Sequence, residues 1–231
     1  MRVLTVFAKW LFILCLPVLL FTATAAWLFN SPWVYTNGFK KYDVATVTGL
    51  SSAELEKVAI GLIRYWNSGE EYIDITVIKN GQPMKLFNQR ELMHLKDVKD
   101  LVWLDYRVFL GLLAYVLGFA GVSLFWHRPR YWRRLAREVL AGSGITLALM
   151  LVLGLGILFG FERLFLQFHL ISFTNELWQL DPATDYLIML VPQGFWYDTF
   201  LLGAMIIAGL ALILGGAAGG HLLFNKTKQT T

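Results

Sequence analysis

The sequence predicts an all-α polytopic membrane protein of four transmembrane helices, carrying a small α+β extracytoplasmic domain. Three observations predict it. The 231 residues are 57% hydrophobic with a positive mean hydropathy, too apolar for a soluble domain of this length. Four separate runs, at about 10–29, 106–126, 139–161 and 199–221, are each long enough to cross the roughly 30 Å hydrocarbon layer. The charges are also divided unevenly between the segments that join them.

Residues 1–29 are read as a cytoplasmic N-terminus and the first span. Ala23-Thr24-Ala25 is an acceptable signal-peptidase site behind a basic Arg2 and Lys9. The apolar run continues through Trp27, Leu28 and Phe29, so a retained anchor is expected instead. Cys15 lies inside this run without the small residue that precedes a lipid-modified cysteine, and is expected to be a buried packing thiol. A single cysteine forms no internal disulfide.

Residues 30–105 form the extracytoplasmic α+β domain. Ser51-Ser52-Ala53-Glu54 is a capping-box signature, opening a helix with Leu55, Val58, Ala59, Leu62 and Ile63 on one face. Tyr72–Ile78 alternates like a strand, Asn80-Gly81 is a strong hairpin turn signal, and a return strand is expected at Met84–Phe87. Asn88 with Glu91 caps a polar helix over 89–104 that leads into the second span, 106–126.

Residues 127–138 form a basic connection with five arginines and no acid up to Arg137. The third span follows at 139–161. In the 162–198 loop, Leu164–Phe173 is apolar but too short to cross again and is expected in the interface. Asp181-Pro182 reads as the start of a short amphipathic helix through Leu187, Ile188 and Leu190, stopped by Pro192. Trp178, Tyr186, Trp196 and Tyr197 suit a headgroup belt. The fourth span is 199–221 and the tail 222–231. Gly156 with Gly160, Gly215 with Gly219 and Gly216 with Gly220 offer close helix approach.

The 162–198 loop carries Glu162, Glu176, Asp181, Asp185 and Asp198 against Arg163 alone. The positive-inside rule therefore places both termini and the arginine loop in the cytoplasm, with the polar domain and acidic loop outside. The net charge of +4 is then a topology signal, and no nucleic-acid partner is implied.

Among chemically capable residues, two of the four histidines stand out. His94 lies on the polar 89–104 helix with Glu91 and Asp97 three residues to either side, within reach on one face. A carboxylate beside an imidazole holds its tautomer and raises its basicity. His169 is polar in an apolar run, where burial without a partner is costly. Asn175, Trp178, Asp181 and Asp185 follow it and offer donors, shape or a partner carboxylate. His127 and His221 read as ordinary cytoplasmic flanking residues. No G-x-S-x-G elbow or phosphate-cradling glycine loop is present, the lone H-x-x-D is too weak for a metal site, and no cofactor is expected.

Glu91-Leu92-Met93-His94-Leu95-Lys96-Asp97-Val98-Lys99 resembles the E-x-x-H-[ML]-x-D-V-K segment of a bacterial four-span membrane family. Phe168-His169, Phe173-Thr174-Asn175, Trp178 and Leu180–Ile188, then Pro192 and Phe195-Trp196, resemble its second signature. The family contains the lipoprotein intramolecular transacylases, and the resemblance runs through nearly the whole chain. It implies that the sn-2 acyl chain of a diacylglyceryl-modified lipoprotein moves to the α-amino group of the same N-terminal cysteine, giving the lyso-form. The partners are then that lipoprotein and membrane lipids, at the outer face of a bacterial plasma membrane. The amine must lose a proton and the departing glyceryl oxygen gain one, which two histidines supply. On this reading His94 is the base, held by Glu91 or Asp97, and His169 the acid or oxyanion partner; the reverse is also open. Two other readings stand beside it: a non-enzymatic assembly or receptor protein, and an acyltransferase or hydrolase acting on phospholipid.

Overall fold

The computed structural model describes residues 2–125 and 129–227. In chain order the elements are α1 (Arg2–Asn30), α2 (Pro32–Lys41), α3 (Val44–Thr48), α4 (Ser52–Trp66), β1 (Thr76–Lys79), β2 (Gln82–Lys85), α5 (Gln89–Phe125), α6 (Pro129–Ser172), α7 (Tyr186–Leu190) and α8 (Gln193–Thr227). Among the described residues α1, α5, α6 and α8 are long and apolar enough to cross a membrane, which makes this a multi-pass membrane protein.

Two of these helices outrun their apolar segments. The polar 89–104 stretch and the second span form one 37-residue helix, α5. Nothing between them breaks the backbone, and Asn88 with Glu91 starts it by a reciprocal capping box. The Glu91 N–H donates to Asn88 Oδ1 at 3.1 Å and the Asn88 N–H to Glu91 Oε2 at 2.7 Å. In α6 the run expected to lie as an interfacial stretch, 164–173, is helical to Ser172. A bend at Gly160 (φ −158°, ψ 33°) separates it from the span. His127 and Arg128 lie outside the described residues, as does the tail from Lys228 onward.

The hairpin has the register Thr76↔Lys85 to Lys79↔Gln82. Asn80 and Gly81 both take positive φ, 52° and 75°, as a type I′ turn requires. Its strands are shorter than the alternation suggested: Tyr72–Ile75 precedes β1, held by the Leu86 N–H donating to the Ile75 carbonyl at 3.0 Å. The helix expected from Asp181-Pro182 begins only at Tyr186, because Asp181 makes an Asx turn instead. Its Oδ1 accepts the Ala183 N–H at 2.9 Å.

The chain divides into two compact units. The first contains Met1–Ala25, Tyr106–Leu155 and Leu202–Thr231. Its core is Leu16, Leu20, Ile207 and Ala211, with Val139, Leu147 and Met150 packed against them. Gly215 lets α8 approach α6: a β-carbon there would stand 3.1 Å from that of Ser143. The other small-residue pairs do not act this way. Gly216 and Gly220 face open space, Gly156 lies against Leu164 of its own helix, and Gly160 is the bend.

The second unit contains Ala26–Asp105 and Gly156–Leu201. The amphipathic face of α4, with Leu55, Val58, Ala59 and Leu62, is buried in it. Trp66 donates from Nε1 to the Tyr35 hydroxyl at 3.0 Å, and Tyr35 stacks on Phe195 with centroids 6.1 Å apart. Gly38 is required beneath Phe195, since any β-carbon would come within 2.3 Å of that ring. The buried Lys99 points its ammonium at the Tyr65 face, 4.1 Å from the centroid, and donates to the Glu70 carbonyl and Ser68 hydroxyl.

Candidate active site

Both singled-out histidines belong to the second unit, and they meet there. His94 is in the second turn of α5, twelve residues before its apolar span begins. His169 is in the last turns of α6, beyond the Gly160 bend. Their ring centroids are 6.3 Å apart with planes inclined by 30°. That gap is within the reach of one ester and one amine. Both are buried, at 7% and 8% exposure.

The surroundings are aromatic. Phe161, Phe165 and His169 follow at four-residue spacing along one ridge of α6, with centroids 5.4 and then 4.5 Å apart. Phe173 packs against both imidazoles, 5.2 Å from His94 and 5.6 Å from His169. Phe168 at 5.3 Å and Trp178 at 4.9 Å close the box around His169. Of these, only Trp178 was among the expected site residues. Phe168 and Phe173 stood in the second signature, and the signal for Phe161 and Phe165 was their i, i+4 spacing to His169, which reads equally as packing.

The hydrogen bonds separate the two rings chemically. His169 Nδ1 is 2.7 Å from the Phe165 carbonyl oxygen, an acceptor only. Nδ1 therefore carries the proton, and Nε2 is left with its lone pair. His94 Nδ1 is buried with no hydrogen-bond partner among the described residues. Burial, and secondarily the neighbouring His169, pulls the His94 pKa from 6.5 down to about 4. Burial also lowers that of His169, opposed by the Phe165 carbonyl. Both rings are thus neutral at neutral pH.

The unfolded chain then binds more protons than the folded one between about 6.5 and about 4, so stability rises with pH across that window and is lost as pH falls through it. Thermal unfolding in detergent micelles should shift to lower temperature as pH drops from 6.5 to 4. His94→Phe should flatten that slope; an unchanged slope would show that His94 is not the titrating group.

The carboxylates expected to orient His94 are engaged elsewhere. Glu91, 1% exposed, accepts the Leu187 N–H at 2.6 Å through Oε1 and the Asn88 N–H through Oε2. Burial raises its pKa against the pull of those two amides. It therefore ties the start of α5 to α7. Asp97 Oδ2 accepts from Asn175 Nδ2 at 2.8 Å. Asp185, also buried, accepts from Asn88 Nδ2 at 2.8 Å and from the Asp181 N–H at 2.8 Å. Arg90, not singled out in the sequence, donates from Nη2 to the Glu176 carbonyl at 2.6 Å. Glu91, Asp97, Asn175, Asp181 and Asp185 thus build a frame around the imidazoles, and Trp178 touches one of them. His221 lies in the first unit beside Trp132. No group of three potential metal ligands occurs among the described residues.

The family model for the lipoprotein intramolecular transacylase Lit matches residues 10–196. An uncharacterized protein of Aquifex aeolicus is 30% identical over 163 residues, 69% of each chain. The structure of the membrane-integral lipoprotein intramolecular transacylase Lit from Bacillus cereus superposes with a TM-score of 0.80 over 100% of both chains, at 18% identity. Two variants of that protein, with a histidine replaced by arginine or by alanine, each match with a TM-score of 0.73 at 17% identity, over 97% of this chain and 94% or 95% of theirs. The four-span fold is therefore that of a solved membrane transacylase, and with the family model covering most of the sequence, this chain belongs to the lipoprotein intramolecular transacylase (Lit) family.

Proposed function

We propose that the chain catalyses acyl transfer within a diacylglyceryl-modified lipoprotein, moving the sn-2 chain to the α-amino group of the N-terminal cysteine. The observation that carries this is the buried His94–His169 pair with one tautomer set by the Phe165 carbonyl. His169 Nε2 takes a proton from the amine as its nitrogen attacks the ester carbonyl. The new C–N bond forms as the glyceryl C–O bond breaks. The same imidazolium returns the proton to the glyceryl oxygen, so the step is proton-neutral overall. His94, held neutral, serves as hydrogen-bond donor to the carbonyl oxygen as it gains charge. These roles reverse the sequence expectation, because the carboxylates meant to raise His94 basicity are bonded to Leu187, Asn88 and Asn175.

No serine or cysteine nucleophile is needed, since amine and ester belong to one molecule. Well-aligned intramolecular reactions reach effective molarities on the order of 10⁵ M or more. The apolar box suits this role: it keeps water from the acyl group, and a wet site would hydrolyse it. The five arginines of the 127–138 connection support a cytoplasmic side for that loop by the positive-inside rule, and with it an outer-face site.

Expression in a host lacking lipoprotein N-acylation should yield N-acyl, S-monoacylglyceryl lipopeptides, read by tandem mass spectrometry. Only unmodified diacylglyceryl peptides would favour the non-enzymatic assembly or receptor reading. Free fatty acid with lyso-phospholipid as the sole products would favour the phospholipid reading.

A further inference from the structure

We propose that the segment 174–180 is a lid, held shut over the histidine pair by Arg90 and Asp97, which must lift to admit the substrate. The proposal rests on the transacylase reading above. With His94 and His169 only 7% and 8% exposed, a diacylglyceryl cysteine cannot touch either ring until some part of the chain moves. The bonds around the site indicate which part.

Residues 181–191 are anchored from within. Glu91 and Asp185 are both buried, and they hold the Leu187 amide and the Asn88 side chain. Residues 174–180 have no regular secondary structure, and 174–176 are exposed. Their hydrogen bonds to α5 among the described residues are at the surface: Arg90 Nη2 to the Glu176 carbonyl at 2.6 Å, Arg90 Nε to the Leu177 carbonyl at 3.4 Å, and Asn175 Nδ2 to Asp97 at 2.8 Å. Water replaces exposed hydrogen bonds at small net cost, whereas the buried Leu187–Glu91 bond has no such substitute.

The segment is also bonded to itself. The Leu177 N–H donates to Asn175 Oδ1, the Gln179 N–H to the Glu176 carbonyl and the Leu180 N–H to the Trp178 carbonyl. It can therefore move as one piece. Arg90, His94 and Asp97 stand at i, i+4 and i+7 on one face of α5, so the two anchors of the segment flank His94 along that face. Trp178, 4.9 Å from His169, is the side chain that this movement carries away and returns. Arg90 and Asp97 are accordingly positioning residues: they set where Trp178 rests during transfer and touch no reacting atom.

The test uses the full chain in detergent micelles with a Cys15→Ala background. Asp97→Cys and Asn175→Cys are bridged by a short bifunctional thiosulfonate that reductant cleaves, and a synthetic diacylglyceryl lipopeptide is the substrate. Bridging should lower N-acyl product formation at least tenfold, and reductant should restore it. A bridged protein retaining half or more of the unbridged rate would overturn the lid. Amide hydrogen exchange on the native chain reads the lid without turnover: residues 174–180 should exchange at least a hundredfold faster than 186–190. Equal protection of the two stretches would overturn the proposal even if the cysteine variants are inactive. A native chain that forms no N-acyl product refutes the transacylase reading itself, and the exchange ratio still decides whether the segment opens.

Discussion

His169→Ala is expected to lower the rate of N-acyl product formation by about 10²–10⁴-fold, the usual worth of a positioned general base. His94→Ala should cost about 10²–10³-fold, as loss of one donor to a developing oxyanion does. The double variant should be little worse than His169→Ala, because groups acting in one step are not additive. Glutamine separates the two roles. His94→Gln keeps an N–H donor and should recover part of the rate, whereas His169→Gln has no lone pair basic enough to take the amine proton and should recover none. Mass-spectrometric rates on a synthetic diacylglyceryl lipopeptide decide this. Equal recovery by both glutamine variants would sink the division of labour, and full activity in either alanine variant would return that histidine to the scaffold.

Glu91→Ala is expected to be the most destabilising single change in the second unit. Its carboxylate is buried and accepts main-chain N–H groups from Asn88 and from Leu187, 96 residues further on. Truncation leaves the buried Leu187 N–H and the part-buried Asn88 N–H without acceptors, together costing roughly 2–4 kcal/mol. Glu91→Gln keeps one amide oxygen and should lose less. The loss should appear as a lowered melting temperature in micelles, and product formation should fall with it, because α7 loses its Leu187 tie to α5. An alanine variant that melts like the native chain would show that the two amides find other acceptors.

Much of this structure was legible in the sequence wherever the information is local. Hydropathy runs gave the four spanning helices, Asn88 and Glu91 gave the cap of α5, and Asn80-Gly81 gave the hairpin turn, each set by neighbours within a few residues. The two carboxylates expected to orient His94 were misread for one cause. A carboxylate three residues from His94 is within its reach, but reach does not say which partner it takes. Glu91 chose two backbone amides, strong donors that burial leaves otherwise unpaired, and Asp97 chose the side chain of Asn175. Two of those partners, Leu187 and Asn175, lie about 80–100 residues away, which no periodicity encodes. The continuation of α6 to Ser172 was hidden for a different reason. Leu164–Phe173 is too short to cross a bilayer, and length alone does not show that it extends a helix already begun.

The acceptor that sets the His169 tautomer is a main-chain oxygen, that of Phe165. In many hydrolytic sites the corresponding acceptor is a carboxylate, a side chain that a single codon change can delete. Here no side-chain substitution at position 165 removes the acceptor; only a change in the path of the helix does. The proton arrangement is therefore inherited from the backbone, and it brings no negative charge into an aromatic box that must receive hydrocarbon. Sequence drift around the site can alter the walls without altering which ring nitrogen is basic.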